Sequence, residues 1–243
     1  MFKLTDLNGL VVIITGASSG IGRSTVEYLL NENVLILANA RNQVKLNETF
    51  LNETSENLIR FVGDCSDPAV CLLMVESAID KWGKLDVLIA NAGSGFFGSI
   101  LENSDDEIVN LVNNNILGPI FPIRAIVPYL KKSKNPDIVI VSSAAGYRGY
   151  ANEAVYAATK HAQVGLAGSL ERELTPVGIR VSLVNPAGVK TDFAIGKGRE
   201  YENLEMSNYM DPSDVAYVIT SILRMPRRVR TQNWNFWSMA QES

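Results

Sequence analysis

Histidine and cysteine are scarce in this sequence: His161 is the one histidine and Cys65 and Cys71 the two cysteines among 243 residues. A histidine metal cluster cannot be assembled from one imidazole, and a Ser-His-Asp triad is difficult to build around His161. That residue follows Lys160 in a segment of helical pattern and reads as a partly exposed histidine. The cysteines lack C-x-x-C spacing and suggest no disulfide framework. Long apolar runs are missing too. Leu10–Ile14 is far too short for a signal core or a membrane span. Lys and Arg form no long run, and Arg227, Arg228 and Arg230, the densest basic cluster, read as a solvated surface. A net charge of −4 and a pI near 5.2 argue against nucleic acid or an anionic membrane as main partner. A cytoplasmic location is the resulting expectation.

What the sequence does have is apolar residues, 47% against 20% charged. They fall into short runs separated by helical patterns. Leu10–Ile14, Val34–Ala38, Leu58–Val62, Val87–Ala90, Ile138–Ser142 and Arg180–Asn185 read as buried strands. Helical periodicity covers Ile21–Leu30, Ala69–Trp82 and Tyr156–Leu174. Strand–helix repetition of this kind predicts an α/β fold: one doubly wound parallel sheet of about seven strands, helices on both faces, in a single domain over residues 1–243. Ser104-Asp105-Asp106-Glu107 predicts a capping box, and Asp211-Pro212 a capped helix over Val215–Leu223. Pro119 and Pro122 must lie in or near a first turn of the Leu117–Leu130 segment or kink it. A last strand is expected within Thr231–Trp237.

The first strand runs into Thr15-Gly16-Ala17-Ser18-Ser19-Gly20-Ile21-Gly22, followed by a helix. Glycines at this junction let backbone approach a diphosphate, and the helix start offers free N–H groups and a favourable dipole. The expected contacts are Gly16, Ser18, Ser19, Gly20, Ile21 and Gly22. At the end of the second strand an acid holds ribose hydroxyls, whereas an arginine accommodates a 2′-phosphate. Here Ala38-Asn39-Ala40 has no acid and Arg41 follows, which favours NADP(H) over NAD(H). Arg23 is a second candidate cation, or a helix-surface charge. Asp64 and Cys65, after the third strand, are placed to meet an adenine edge, although Asp64 also suits the turn ahead of Ser66-Asp67-Pro68.

Asn91-Ala92-Gly93 and Ser142-Ser143-Ala144-Ala145-Gly146 follow the fourth and fifth strands, where parallel sheets place ligands. In Tyr156-Ala157-Ala158-Thr159-Lys160 a phenol and an ammonium stand one helical turn apart on one face. With Asn115 in Asn-Ile-Leu-Gly and Asn185-Pro186-Ala187-Gly188-Val189-Lys190-Thr191, these motifs resemble, along nearly the whole chain, the short-chain dehydrogenase/reductase family in its short single-domain branch. The resemblance implies hydride transfer between NADP(H) and a carbonyl/alcohol pair. It implies Tyr156 as acid/base, Lys160 favouring the phenolate and holding nicotinamide ribose hydroxyls, and Ser143 polarising the substrate oxygen. Asn115 is expected to hold a water feeding a proton relay. Ser143 is preferred to Ser142, and Asn115 to Asn113 and Asn114. Asn91, Ala92, Gly93, Pro186, Val189 and Thr191 complete the expected cofactor contacts.

The chain departs from the family pattern in Pro186-Ala187, where the glycine comes one residue later, in Pro122, and in an ending without the usual glycines. A homodimer is therefore favoured over a tetramer. The loops Ser94–Ile100, Tyr147–Glu153 and Asp192–Met210 carry Phe96, Phe97, Tyr147, Tyr150, Phe193, Tyr201 and Tyr209, which suggests a largely apolar ketone or aldehyde as substrate. The last loop suits a lid hinged at Gly196 and Gly198. Arg148 and Lys190 read as solvated. The alternatives are an NAD(H)-dependent alcohol dehydrogenase of the same fold and a non-catalytic NADP(H)-sensing regulator.

Overall fold

The computed structural model describes residues 4–200 and 208–241. Among these, seven strands form one parallel sheet: β1 (Val11–Thr15), β2 (Leu35–Ala40), β3 (Leu58–Val62), β4 (Val87–Ala90), β5 (Asp137–Val141), β6 (Arg180–Pro186) and β7 (Asn233–Phe236). Their order is β3-β2-β1-β4-β5-β6-β7, so the winding reverses between β1 and β4. A crevice opens beyond the carboxyl ends of strands at such a switch.

Both faces of β1 are buried, which explains its apolar run Val11–Ile14. Val12 and Ile14 join one core with Val26 and Leu29 of α1 (Gly20–Leu30) and Ile219 and Ile222 of α7 (Pro212–Arg224). Val11 and Ile13 join the other, with Met74 of α3 (Pro68–Trp82), Ile126 of α5 (Gly118–Leu130) and Leu174 of α6 (Ala154–Leu174). A strand buried on both faces has no polar side to alternate with.

The expected strands at Leu58–Val62 and Val87–Ala90 agree with β3 and β4. The others shift by a residue or two, and β7 is shorter than Thr231–Trp237 because it is an edge strand alternating between exposed and half-buried residues. The short helix α2 (Gln43–Thr49) escapes the periodicity reading, since Leu46 is its one buried residue. Asn42 caps it, accepting from Lys45 N–H at 2.9 Å.

The proline-rich stretch takes an unexpected form. Helix α4 (Asp105–Val112) opens on the Ser104–Glu107 capping box and passes through a π-helical turn, Asn113–Leu117, into α5. Pro119 lies in the first turn of α5, with Pro122 and Pro128 inside it. A proline supplies no N–H to the carbonyl four residues earlier, so Pro119 leaves the Asn115 carbonyl without that donor.

The basic cluster is corrected in part. Arg227 is half-buried and its Nη1 donates to Asp137 Oδ2 at 2.7 Å, whereas Arg230 is exposed as expected while its Nη1 donates to Glu171 Oε1 at 2.5 Å. Asp137 is buried at the start of β5 and also receives Arg180 Nε at 2.6 Å and Nη2 at 3.0 Å. A buried carboxylate needs such partners, and the arginines are drawn inward to it.

Candidate active site

The loop after β1 is held by its neighbours. Gly16 and Gly20 have φ of +67° and +52°, a region unfavourable for residues with a Cβ. Thr15 Oγ1 accepts from Asn91 and Ala92 N–H at 3.1 and 3.0 Å, and Asn91 Nδ2 donates to the carbonyls of Thr15 and Gly16. Asn91 is thus a brace, tying β4 to the loop. Gly22 does not line the cavity and is a packing position, since a Cβ there would lie 2.3 Å from Gly16 O. Gly16, Ser18, Ser19, Gly20 and Ile21 do line it.

That cavity, of about 830 Å³, runs along the carboxyl ends of the strands. One end contains Arg41, Asp64 and Cys65. Arg41 Nη1 donates to Asn114 Oδ1 at 3.0 Å and lies 3.6 Å from Asp64 Oδ2. Burial pushes the Asp64 carboxyl up, but hydrogen bonds from Ser66 and the Arg41 charge outweigh it and hold it low. Both readings of Asp64 therefore apply, since it shapes the Ser66 turn and still faces the cavity. Asn39, unforeseen, is buried behind this end and donates to Gly63 O at 3.0 Å. Lys45 adds a cation on the wall, while Arg23 pairs with Glu27 on the outer face of α1. Burial pushes the Cys65 thiol up to about 11.

Ser143, Tyr156 and Lys160 meet in the middle of the cavity. Ser143 Oγ accepts from Ala145 N–H at 3.1 Å, which leaves its own hydrogen free to donate. Ser142 is buried, its Oγ without a partner. Tyr156, on α6, is enclosed by Phe97 and Phe193, with ring centroids 5.6 and 5.9 Å away. Burial pushes its phenol up to about 12, against the Ser143 hydrogen bond, while Glu153 adds to the rise and Arg199 opposes it. Lys160 is not among the groups lowering it. Burial instead pushes the Lys160 ammonium down to about 7. Its Nζ lies 5.7 Å from the Tyr156 ring centroid and donates to Gln163 Oε1 at 3.2 Å and Val141 O at 3.4 Å.

Asn115 lies behind the wall, fully buried. Its Oδ1 accepts from Ser94 N–H, and its Nδ2 donates to Ser94 O and Thr159 Oγ1. Its carbonyl accepts from Gln163 Nε2 at 2.7 Å. Gly93 needs its bareness here, since a Cβ would lie 3.1 Å from Asn115 Oδ1.

Ala92, Gly93, Pro186, Val189 and Thr191 also line the cavity. Thr191 packs on the phosphate loop, its Cγ2 2.9 Å from where a Gly20 Cβ would be. The segment after it folds over the cavity: Phe97 N–H donates to Lys197 O at 2.8 Å, and Arg199 Nη2 to Val189 O at 2.7 Å. Gly196 and Gly198 have positive φ, and Tyr201 lies outside the described residues. Of the loop aromatics, Phe97, Tyr150, Phe193 and Tyr209 reach the wall; Phe96 and Tyr147 do not. Glu153, Gln163 and Arg199 were missed from sequence. Glu153 and Gln163 stand one turn from Tyr156 and Lys160, a spacing that could have drawn attention to them.

Residues 10–202 match the family model described as short chain dehydrogenase. An oxidoreductase of Staphylococcus saprophyticus is 31% identical over 78% of either chain. The chain belongs to the short-chain dehydrogenase/reductase family. It is an oxidoreductase of that family. A 3-ketodihydrosphingosine reductase of Bacteroides thetaiotaomicron is also 31% identical, over 75% of this chain and 65% of its own. Among solved structures, a 3-ketoacyl-(acyl-carrier-protein) reductase from Brucella melitensis complexed with NADH is 26% identical, with a TM-score of 0.85 over 96% of this chain and 99% of that one. A serine dehydrogenase complexed with NADP+ has a TM-score of 0.89 at 24% identity, covering 96% of this chain and 97% of that one, and shows the shared fold.

Proposed function

We propose that this member of the family transfers a hydride between NADP(H) and a largely apolar ketone or aldehyde and its alcohol. The observation carrying the reading is one continuous cavity with a phosphate-type glycine loop on its wall and Ser143, Tyr156 and Lys160 together in its middle. A dinucleotide fits this shape: the loop backbone and the α1 N-terminus would hold its diphosphate, and Arg41 and Lys45 would hold a 2′-phosphate. Strand β2 ends Ala38-Asn39-Ala40 with no acid to take the ribose hydroxyls, which favours NADP(H).

When bound, the cofactor supplies or accepts the hydride. The chain's own residues handle the oxygen. Ser143 donates to it, and the Tyr156 phenol gives it a proton in reduction or takes one in oxidation. With its phenol pushed up to about 12, Tyr156 is fully protonated at neutral pH, the state reduction requires. Lys160 would hold the ribose hydroxyls and, when charged, lowers the cost of the phenolate. Phe97 and Phe193 exclude water around the reacting carbonyl. The described parts of the expected lid, residues 192–200 and 208–210, act as the lid, residues 201–207 lying outside the described residues, and one domain carries both sites. A cytoplasmic homodimer completes the reading.

The test is oxidation of NADPH and NADH across a panel of ketones, aldehydes, quinones and acyl thioesters. Turnover of apolar carbonyls with NADPH is expected. Tight NADPH binding with no turnover of any member of the panel would contradict the reading.

A further inference from the structure

The buried polar groups behind Lys160 have a partner that the family's proton relay does not call for. Gln163 is 2% exposed, and it stands one turn beyond Lys160 on the same face of α6. Its amide makes two hydrogen bonds at once: Nε2 donates to Asn115 O at 2.7 Å, and Oε1 accepts from Lys160 Nζ at 3.2 Å. The reversed amide would set an N–H against the ammonium and an oxygen against a carbonyl, so this orientation alone satisfies both neighbours. Pro119, four residues on, brings the Asn115 carbonyl no N–H of its own.

We propose that Gln163 is a positioning residue of this site: its buried amide, in place of a water molecule, links the Lys160 ammonium to the Asn115 carbonyl and sustains the charge of Lys160 beside Tyr156. The inference rests on the roles given to Tyr156 and Lys160 above. A carboxamide accepts at oxygen and donates at nitrogen but surrenders no proton near neutral pH. The link therefore fixes geometry and charge without conducting protons, and Lys160 exchanges protons on its cavity side. Tyr156 lies beside Lys160, its ring centroid 5.7 Å from Nζ, and Glu153 and Arg199 act on that phenol. The π-helical turn (Asn113–Leu117) and the turn Ala144–Gly146 bring no charged residue to α6. The acids of α4 are in its exposed first turn, and Arg180 of β6 is committed to Asp137.

The experiment titrates the Lys160 side-chain nitrogen by NMR in cofactor-free protein labelled with [15N]lysine, the signal assigned with Lys160→Met. A midpoint at about 7 is expected in the unaltered chain. Gln163→Leu removes an acceptor and should lower it by about one pH unit, whereas Gln163→Glu supplies a negative acceptor and should raise it by at least as much. The alkaline limb of kcat for NADPH-dependent reduction of a ketone from the panel should move in the same two directions. Coincident midpoints in all three proteins would overturn the inference. If Gln163→Leu fails to fold, an unshifted midpoint in Gln163→Glu does so alone. The titration uses neither cofactor nor substrate, so its failure is distinct from failure of the proposed function, which shows as absent turnover in the panel.

Discussion

At the residue scale, the two ionisable groups of the centre are pushed by burial toward their neutral forms, Tyr156 up to about 12 and Lys160 down to about 7. The neutral phenol suits reduction. The lysine is different, because an unfolded lysine titrates near about 10.4. Between about pH 7 and pH 10 the unfolded chain therefore binds one more proton than the folded one, and this group makes stability rise with pH. Lys160→Met removes that slope. The variant's melting temperature relative to the unaltered protein should be highest near pH 7 and decline as pH approaches 10; a difference constant with pH would contradict the shift. Arg41 carries a separate prediction. Losing a charge-assisted hydrogen bond, Arg41→Ala should weaken NADPH about 10- to 100-fold and NADH far less. Equal weakening of the two, measured by fluorescence titration, would sink the 2′-phosphate reading.

At the element scale, the site depends on backbone brought closer than a side chain allows. A Cβ at Gly22 would sit 2.3 Å from Gly16 O and 2.6 Å from Asn91 Nδ2. Neither atom can withdraw, since the Asn91 amide holds the first turn of the loop through two carbonyls. Gly22→Ala should cost about 1–3 kcal/mol by overpacking and loosen the cofactor loop as well. Thermal unfolding together with NADPH affinity checks this, and a neutral effect on both would be inconsistent with the packing. The π-helical turn shows where sequence reading ran short. Pro119 and Pro122 signalled an irregular helix, but periodicity does not reveal a one-residue expansion. That Pro119 lies four residues after Asn115 was legible, and it marks the carbonyl that Gln163 takes. Which donor takes it depends on how α6 crosses the π-helical turn, a tertiary fact.

At the scale of the whole molecule, the sheet and its helices were largely legible because β1, β4 and β5 are buried on both faces and contain almost nothing but apolar residues. The phosphate loop, Ser143, Tyr156 and Lys160 were legible for a related reason: each follows a strand end or shares a helix face, so local spacing fixes where it points. The Asp137 cluster was not. Asp137 lay just outside the expected strand Ile138–Ser142, and Arg227 looked solvated, because nothing local records that β5, β6 and the α7 end converge there. Asp137→Asn leaves Arg180 buried without its carboxylate and should destabilise the protein by about 3–5 kcal/mol. Denaturant unfolding measures it, and a loss no greater than that of an exposed ion pair would refute the account of this cluster.

The account's central claim is that a phenol, placed by α6 between Ser143 and Lys160, moves the proton while the cofactor moves the hydride. The most direct measurement compares turnover and NADPH affinity of Tyr156→Phe with those of the unaltered protein. Loss of the hydroxyl should abolish carbonyl reduction and leave NADPH binding within a few-fold. Turnover undiminished in Tyr156→Phe would contradict it.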